Sequence, residues 1–590
     1  MRRTLIMAAM VVATATLELI GLKAQGQGAQ AGPQVPGTTA QQAIDAAATA
    51  LGGAQRLQAL RNLTLIGYAQ YAYQNGGGNI SPLPGAPQKY IAANDYRRVY
   101  DFQNMRMLHQ ERRNDLFPFA NYGGHSFALA RQGMDGAQAY NVNAQGAVNV
   151  GGDVRDRRMW FYTNPVNAVR AVLTGAATVA NRRQEGGLTL VDLTLREGDK
   201  MTMAIRPPSN LPLWVRWIAP QVNLGEYTLT TTFYGYEPFS GVYLPMGYTQ
   251  TSDWRNVDQV KIYVDNYLVD AQIANLAATA TFPPAELGGT LAGPAQGGAG
   301  TLTPVPFQSL VPQVTPGQGR GGGAARAGGP PAAGAAPGGR AGGAPAAAAA
   351  PAGPQPIGVI NVARGLWRFA GGTIAMEFAD HIVLYELNGG NARVKQVVAQ
   401  AHQLVPGKRA THVIWSHHHF DHSAGFRQAV AEGLTIISRR DNGVIFAEMA
   451  ARRAPNFPDD LERNFQPLKF IPVDDHLQLK DASMTVDIYH VVANNHLADG
   501  VFAYIPEHKI YIEADVLTAA EELQWWGDSF LDNLAYRKID VEKIVPVHMD
   551  IMTFEQGVRM LRPGIERVKQ YCNEMVAKGN WFPGCPAAVK

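Results

Sequence analysis

Short runs of alternating hydrophobic and polar residues, ended by glycine or asparagine, fill most of the first half of the chain. The clearest runs are residues 227–233 and 259–264. Alternation with a period of two places side chains on opposite faces of a strand, and successive runs of this kind are typical of an antiparallel sheet. We therefore predict that residues 38–285 form a mainly antiparallel β domain with a leading helix within residues 38–62.

Two segments of this region depart from the alternating pattern. Residues 167–173 have the spacing of a helix, which would interrupt the sheet. Residues 211–220, which include Trp214 and Trp217, are predicted to pack against the sheet or to cap it.

Residues 286–355 predict a linker, because residues 317–354 are almost entirely glycine, alanine and proline. Such a segment has too little apolar side-chain area to offset the entropy lost on ordering, so we expect it to be disordered.

After the linker, residues 356–590 mix strand patterns with helical ones. Strand patterns lie at residues 357–369, 372–387 and 410–415, and helical patterns at residues 392–404, 423–432 and 553–576. Interspersed strands and helices predict a layered α/β domain.

Length and charge narrow the picture. A chain of 590 residues is too long for one hydrophobic core. Its net charge of +3 gives no reason to propose a nucleic acid as a partner.

The first 31 residues are typical of a secretory signal, with two arginines before an apolar run over residues 4–17. Small residues offer cleavage sites at 13–15 and at 29–31, and an uncleaved anchor is the alternative. We expect a periplasmic or secreted protein, in which Cys572 and Cys585 could form a disulfide or remain two free thiols.

The candidate chemistry is concentrated after the apolar run at residues 410–415, where His417, His419, Asp421 and His422 follow one another. In an extended segment the side chains at i and i+2 share a face, so His417 and His419 could hold one ion together. Asp421 and His422 are adjacent and would face a second ion only after a turn. This spacing predicts a site for two metal ions.

Three more residues of ligand type follow apolar runs downstream: His496, Asp515 and His548. Twelve of the fourteen histidines lie after the linker, which places the metal chemistry in the second domain. Ligand-binding residues gather at the carboxyl ends of strands in α/β sheets, so these three residues could complete the site.

The ordered set His417-x-His419-x-Asp421-His422, then His496, Asp515 and His548, resembles the signature of the metallo-β-lactamase fold superfamily. The resemblance implies an αββα sandwich for residues 356–590 and a dinuclear centre. His417, His419 and His496 would hold one metal, Asp421, His422 and His548 the other, and Asp515 would bridge them. Nitrogen and oxygen ligands without thiolate suit zinc, with iron or manganese as alternatives.

The implied activity is hydrolysis of a small molecule by a metal-bridging hydroxide, with Asp421 as the catalytic residue that receives or orients the proton. An ester, lactone, amide, thioester or phosphoester fits this chemistry. The aspartate at position 515 resembles the glyoxalase II and lactonase-like branches, whereas the best-known subclass of zinc β-lactamases has a cysteine there.

Two other functions stay open at this point. Sulfur dioxygenases of the same fold keep the same motif with one iron, so an iron-dependent oxidoreductase is one alternative. Residues 211–214 and 242–246 resemble the half-barrel sheet of periplasmic lipoprotein carriers, so a protein that binds a lipid or another hydrophobic ligand is the second. A structural platform for the second domain is the simpler interpretation of that sheet.

The remaining histidines of the second domain are predicted to be packed, exposed or supporting residues rather than ligands, and Asp499 could orient His496 through a hydrogen bond. These histidines are His381, His402, His412, His418, His476, His490 and His508.

Overall fold

The computed structural model describes residues 39–73, 81–115, 128–142, 148–150, 153–271, 356–494, 496, 498–517 and 523–579. The predicted signal over residues 1–31 and the predicted linker over residues 286–355 lie outside these ranges. No helix within them has the length and apolar character needed to cross a membrane.

Thirteen strands form one sheet in the N-terminal region. They are β1 Asn62–Ala72, β2 Tyr90–Asp101, β3 Arg106–Asp115, β4 Ala128–Asp135, β5 Gln138–Val142, β6 Val148–Val150, β7 Ala177–Glu185, β8 Leu188–Leu195, β9 Lys200–Arg206, β10 Leu211–Gln221, β11 Gly225–Phe239, β12 Val242–Ser252 and β13 Asp258–Val269.

Neighbouring strands of this sheet are antiparallel throughout, in the order β6-β5-β4-β3-β2-β1-β13-β12-β11-β10-β9-β8-β7. The two halves of the sheet meet where β1 pairs with β13, the first strand with the last. The predicted antiparallel sheet is confirmed.

Four helices pack on one face of the sheet: α1 Ala40–Ala50, α2 Ala54–Gln58, α3 Val154–Tyr162 and α4 Pro165–Leu173. Thr39 caps α1, with its hydroxyl accepting from the N–H of Gln42 while the Gln42 side chain accepts from the N–H of Thr39. Gly52 and Gly53 separate α1 from α2, because their φ angles of 124° and 98° are ones that no helix allows.

Residues 211–220 are a strand of the sheet, β10, and not a cap, so that expectation was wrong. Val215, Trp217 and Ala219 are buried, while Arg216 and Pro220 between and after them are exposed. This is the alternation of a strand with one covered face. Trp214 and Ile218, which lie on the other face and are also apolar, obscured this period in the sequence.

The C-terminal region contains two further sheets with helices outside them. The first sheet, in spatial order, comprises β14 Val359–Ala363, β15 Leu366–Phe369, β16 Ile374–Glu377, β17 His381–Tyr385, β18 Arg409–Ile414, β19 Thr435–Arg439 and β20 Lys469–Val473. The second comprises β21 His476–Lys480, β22 Thr485–His490, β23 Val501–Ile505, β24 Ile510–Glu513, β25 Lys543–Pro546 and β26 Met552–Thr553.

The helices of this region are α5 Gly390–Leu404, α6 Phe426–Ala431, α7 Asn442–Ala451, α8 Asp460–Arg463, α9 Gly527–Arg537 and α10 Phe554–Ala577. Short 3-10 turns lie at Ser423–Gly425 and Pro506–His508. Cys572 in α10 is disulfide-bonded, and Cys585 lies outside the described residues.

Apolar side chains from both C-terminal sheets form one core between them, for example Tyr385 and Ile414 from the first sheet and Ile488 and Ile512 from the second. A second core joins the first sheet to α5, α6 and α7, and a third joins the second sheet to α9 and α10. The loops at the sheet edges are thus held between well-packed layers.

A largely buried group of charged and polar side chains lies within the N-terminal sheet. The carboxylate of Glu111 accepts from the Tyr71 hydroxyl and from Arg113 Nε, and lies 3.0 Å from His109 Nε2. Burial lowers the pKa of His109 to about 4, although Glu111 opposes this shift. His109 is therefore neutral in the folded protein at neutral pH.

We predict that acid destabilises this sheet through His109. In the unfolded chain His109 binds a proton near pH 6.5, whereas in the folded protein its pKa is about 4. The free energy of unfolding therefore falls as the pH drops through that window. The loss attributable to His109 is about 2 kcal/mol between pH 8 and pH 5. Hydrogen exchange of the β3 amides at the two pH values measures it.

His109→Gln should be less stable than the parent at pH 8 but should show a smaller fall between the two pH values. An equal fall in both proteins would exclude His109 as the origin.

Candidate metal centre

The carboxyl ends of five strands meet at one edge of the two C-terminal sheets. In the first sheet β17 and β18 are parallel. In the second, β24 and β25 are parallel, and β22 runs in the same direction because it is separated from β24 by the antiparallel β23. The loops that follow these strands carry every histidine and aspartate predicted as a ligand.

The segment 417–422, which carries four of the predicted ligands, begins just after β18. Close packing fixes the course of its backbone. The indole N–H of the buried Trp415 donates to the carbonyl of His422 at 3.2 Å, which turns the segment back on itself. The 3-10 turn follows, and its Gly425 passes so close to Leu387 that a Cβ would lie 1.9 Å from the Leu387 carbonyl oxygen. Only glycine fits there.

Two groups of four side chains at this edge could each hold a metal ion, and a smaller third group, Glu386, His417 and His422, shares one histidine with each of them. The first is His417, His419, His496 and Asp515, and the second is Asp421, His422, Asp515 and His548. Within each group the candidate ligand atoms all lie within 4.8 Å of one another. The structure thus brings together all seven residues selected from the sequence.

Asp515 is common to both groups and lies between them. Its Oδ2 is 3.1 Å from His496 Nε2 and 3.2 Å from His422 Nε2, and its Oδ1 is 3.2 Å from His548 Nε2. His417 Nε2 is 3.7 Å from the same Oδ2. One carboxylate therefore faces histidines of both groups.

The histidines of the site differ in the direction of their pKa shifts. Burial is the largest cause of the lowered values. It lowers the pKa of His417, His419 and His496, so that their imidazoles are neutral and can bind a metal. Burial also disfavours a charge on His422, but the carboxylates of Asp515, Asp421 and Glu386 outweigh it and raise the pKa of His422.

The pKa of Asp515 is shifted in the direction opposite to that of His422. Burial would raise its pKa, but His422 and His548 hold the pKa well below its usual range. The carboxylate is therefore ionised, as a metal ligand must be.

Glu386, which the sequence did not single out, orients two of these histidines. Its Oε2 lies 3.2 Å from His422 Nδ1, and its Oε1 accepts from the main-chain N–H and the hydroxyl of Ser416. The Ser416 oxygen in turn lies 2.8 Å from His417 Nδ1. With Nδ1 of both imidazoles carrying the hydrogen, Nε2 of both is left to bind a metal.

Glu386 and Asp515 both adopt left-handed backbone conformations, with φ of 60° and 63°. Glu386 directly follows the end of β17, and Asp515 follows the end of β24 after one residue, Ala514. A left-handed residue costs roughly 1–2 kcal/mol for side chains other than glycine. Such cost is typical of residues held in place for function.

The N-terminal region contacts the motif directly at Phe420, between His419 and Asp421. The side chain of Asn223, fully buried in the turn after β10, donates from Nδ2 to the Phe420 carbonyl and to Ser423 Oγ, both at 2.9 Å. The Ser423 hydroxyl donates to the carbonyl of His419 at 2.9 Å. The ring of Trp254 packs 5.2 Å from the Phe420 ring.

The loop that carries His496 is also held from several sides. Asn494 Oδ1 accepts from the main-chain N–H of His496 at 2.8 Å, and the ring of Trp526 lies 4.8 Å from the imidazole. Asn533 in α9 binds both main-chain groups of Val492 through its side-chain amide. Lys89 of the N-terminal region donates from Nζ to the His496 carbonyl at 3.0 Å.

Among the described residues, none of the histidines predicted to be non-ligands belongs to either group. Several bind elsewhere: His381 lies 2.6 Å from Asp380, His476 lies 2.8 Å from Asp487, and His402 accepts from the N–H of Ala410. The Asp499 carboxyl faces Ser81 and Asp441, and burial raises its pKa to about 6.

The donor set fits divalent metal ions. His417 Nε2 and both ring nitrogens of His419 are buried without a hydrogen-bond partner among the described residues, which is costly unless another group binds them. Imidazole nitrogens next to carboxylate oxygens match the preference of zinc, and also that of iron and manganese.

No protein-family model and no curated protein matches this chain. Similar solved structures are a metallo-β-lactamase from Pontibacter korlensis, 13% identical with a TM-score of 0.28, and one from Hirschia baltica, 15% identical with a TM-score of 0.28. FIM-1 from Pseudomonas aeruginosa, titled as the mono-zinc form of a metallo-β-lactamase, is 13% identical with a TM-score of 0.28.

These matches cover 35–36% of this chain and 96–98% of the other chains. At such identities and TM-scores the similar structures say nothing about the activity of this chain. The proposed function therefore depends on the geometry of the site.

We predict that Glu386→Gln weakens metal binding 10- to 100-fold, because an amide cannot replace the carboxylate that fixes His422 and His417. Competition with a chromogenic chelator measures the affinity. Glu377→Gln, which removes a carboxylate from β16 in the same sheet, is the matched control and should bind metal normally. Unchanged affinity in Glu386→Gln would contradict the orienting role.

We predict that Asn223→Ala lowers metal affinity about tenfold, because the carbonyl of Phe420 and the hydroxyl of Ser423 lose their buried donor. Loss of a buried hydrogen-bond partner costs about 1–3 kcal/mol. Arg255→Ala is the control, since it breaks a different contact between the two regions, the paired hydrogen bonds to Glu448. Equal metal affinity in the two variants would show that Asn223 only docks the regions together.

Proposed function

We propose that this chain is a metal-dependent hydrolase of the metallo-β-lactamase superfamily. The observation that carries the proposal is the Asp515 carboxylate, which faces two histidine groups at the meeting edge of two sheets. A carboxylate shared by two sets of nitrogen donors is suited to hold two metal ions a few ångströms apart, as in dinuclear hydrolytic centres.

We further propose that residues 356–579 form an αββα sandwich. The support is the order of the apolar cores: one lies between the two sheets, one beneath α5, α6 and α7, and one beneath α9 and α10. Helices on both outer faces of paired sheets give the four layers of that fold.

In this proposal His417, His419 and His496 hold one ion, Asp421, His422 and His548 hold the other, and Asp515 bridges both. Zinc is the proposed metal because all the donors are imidazole nitrogens or carboxylate oxygens. Two such ions would supply Lewis acidity and a water acidic enough to ionise near neutral pH.

The protein's own residues then have distinct tasks. Asp421, whose Oδ2 lies 3.8 Å from His422 Nε2, would accept the proton released during attack on the substrate. Glu386 keeps His422 and His417 in one tautomer. Trp526, against His496, excludes water from one side of the site.

The substrate is a small molecule with an electrophilic carbon or phosphorus, such as an ester, lactone, amide, thioester or phosphoester. Export follows from the pattern of residues 1–31, and a hydrophobic ligand for the N-terminal sheet follows from its half-barrel pattern; both stay predictions from sequence. The observations favour neither the oxidoreductase nor the binding-protein alternative over hydrolysis.

We predict that His417→Ala combined with His419→Ala removes bound metal and reduces hydrolysis more than 100-fold, because one ion loses two of its three nitrogen ligands. Elemental analysis of the purified protein gives the metal content. A panel of chromogenic ester, lactone, β-lactam and phosphodiester substrates gives the activity.

His508→Ala, in the 3-10 turn at Pro506–His508, is the control and should keep both metal and activity. Full metal content or undiminished hydrolysis in the double variant would refute the assignment. Iron together with oxygen consumption on a persulfide would replace hydrolysis by the oxidoreductase alternative.

A further inference from the structure

An arginine of the first C-terminal sheet contacts the loop that carries His548. The guanidinium of Arg368 in β15 donates from Nε to the carbonyl of Pro546 at 3.1 Å. Its Nη2 donates to the carbonyls of Val547 at 3.3 Å and Met549 at 2.7 Å. One side chain therefore connects the first sheet with the main chain on both sides of a proposed metal ligand.

The direction of the Arg368 side chain follows from its place in the strand. Leu366 lies in the core between the two C-terminal sheets, whereas Trp367 and Phe369 pack towards the helices. Because residues two apart on a strand share a face, Arg368 points from the first sheet towards the second, and it is only 8% exposed. A buried charge needs hydrogen-bond partners in place of water, and the three carbonyls of the loop supply them.

Packing holds His548 less firmly than it holds other proposed ligands. The side chain of His548 is 28% exposed, whereas those of His417 and His496 are 0% and 2% exposed. On one side the loop is held by the N–H of Val547, which donates to the carbonyl of Glu513 at 3.0 Å. The orientation of the imidazole therefore depends on what fixes the main chain around it.

The turn after β15 packs against the same loop. Gly372 has φ of 101°, and a Cβ at this position would lie 2.5 Å from the carbonyl oxygen of Val547. Only glycine allows so close an approach. The turn and the Arg368 guanidinium thus contact the same carbonyl, and together they fix the start of the loop that carries His548.

We propose that Arg368 is a positioning residue for His548, and that the ion assigned to Asp421, His422 and His548 depends on it. This inference rests on the proposed function, because it concerns one of the two proposed ions. The guanidinium fixes the main chain on both sides of His548, so that the imidazole Nε2 stays 3.2 Å from Asp515 Oδ1.

The other proposed ion does not share this dependence. Within the described part of the chain, the side-chain hydrogen bonds of Arg368 all end on residues 546–549. The ligands His417 and His496 are oriented by other contacts. Removal of the guanidinium should therefore weaken one ion and spare the other, and the spared ion shows that the variant is still folded.

The test measures the affinity for both zinc ions in the full-length protein, by competition with a chromogenic chelator. Arg368→Gln should weaken one ion about 10- to 100-fold and change the other less than about threefold, as expected for loss of a group that orients a ligand. Arg368→Lys keeps the charge but not the planar fork of donors, so it should restore part of the affinity.

A double variant identifies the ion that is affected. If Arg368 acts through His548, Arg368→Gln should cause no further loss of zinc in a protein that already carries His548→Ala. Lys543→Met is the matched control, because Lys543 Nζ also donates to a carbonyl of the first sheet, that of Val362 at 3.0 Å, but from the far end of β25. It should leave both affinities unchanged.

A second readout requires neither metal nor turnover. In the metal-free protein, hydrogen exchange of the amides of residues 547–551 should be about tenfold faster in Arg368→Gln than in the parent, because the loop opens more often without the guanidinium. Exchange in the segment 417–422 should be unchanged.

The outcomes separate the two proposals. Equal weakening of both ions, unchanged affinity for both, or a full further loss in the His548→Ala background would overturn the role of Arg368 while the hydrolase stands. Selective loss of one ion, in a protein that hydrolyses no substrate of the panel, would support Arg368 and count against the hydrolase. A parent that binds fewer than two ions would refute the dinuclear site, and faster exchange confined to residues 547–551 would then still support the positioning of His548.

Discussion

A buried carboxylate surrounded by imidazoles is the interaction on which this molecule is built. Asp515 is ionised because His422 and His548 surround it, and His422 can carry a charge only because Asp515, Asp421 and Glu386 are close. Neither partner could be buried alone, since an unpaired charge in the interior is strongly destabilising. Asp515 and Glu386 also have left-handed backbone conformations. Such conformations persist only where the surrounding structure enforces them.

The two halves of the chain share this site. Asn223 and Trp254 come from the N-terminal sheet, and both contact Phe420 inside the metal motif. Glu226 accepts from the main chain of Asn456 and Phe457 and so adds a second point of contact away from the metal residues. The N-terminal sheet therefore supports the motif from behind.

The sequence was informative wherever a local pattern encodes the structure. The ends of the strands before His417, Asp515 and His548 could be predicted, because an apolar run followed by a polar residue of ligand type is a local signal. The antiparallel sheet could be predicted as well, because the alternation of apolar and polar residues is also a local pattern. The helix α3 was missed because Arg155, Arg157 and Arg158 leave no simple apolar stripe in its sequence, although Arg157 is buried.

Residues that act through distant contacts had no such signal. Glu386 lies thirty positions before Ser416 and acts only through the packing of β17 beside β18. Asn223 and Lys89 act across even longer separations, of 197 and 407 positions. Their roles follow from how the sheets are placed, which no spacing rule describes. The strand β10 was misjudged because Trp214 and Ile218 on its other face are apolar too, which masked its period.

The pairing of β1 with β13 has a consequence for how the protein is made. Leu63 pairs with Val269, so the N-terminal sheet cannot close until nearly the whole N-terminal region has left the ribosome. Contacts of such high sequence separation form slowly, because the entropy of closing the chain is lost before the strands gain their hydrogen bonds. The segment 417–422 is therefore synthesised after the surface that supports it.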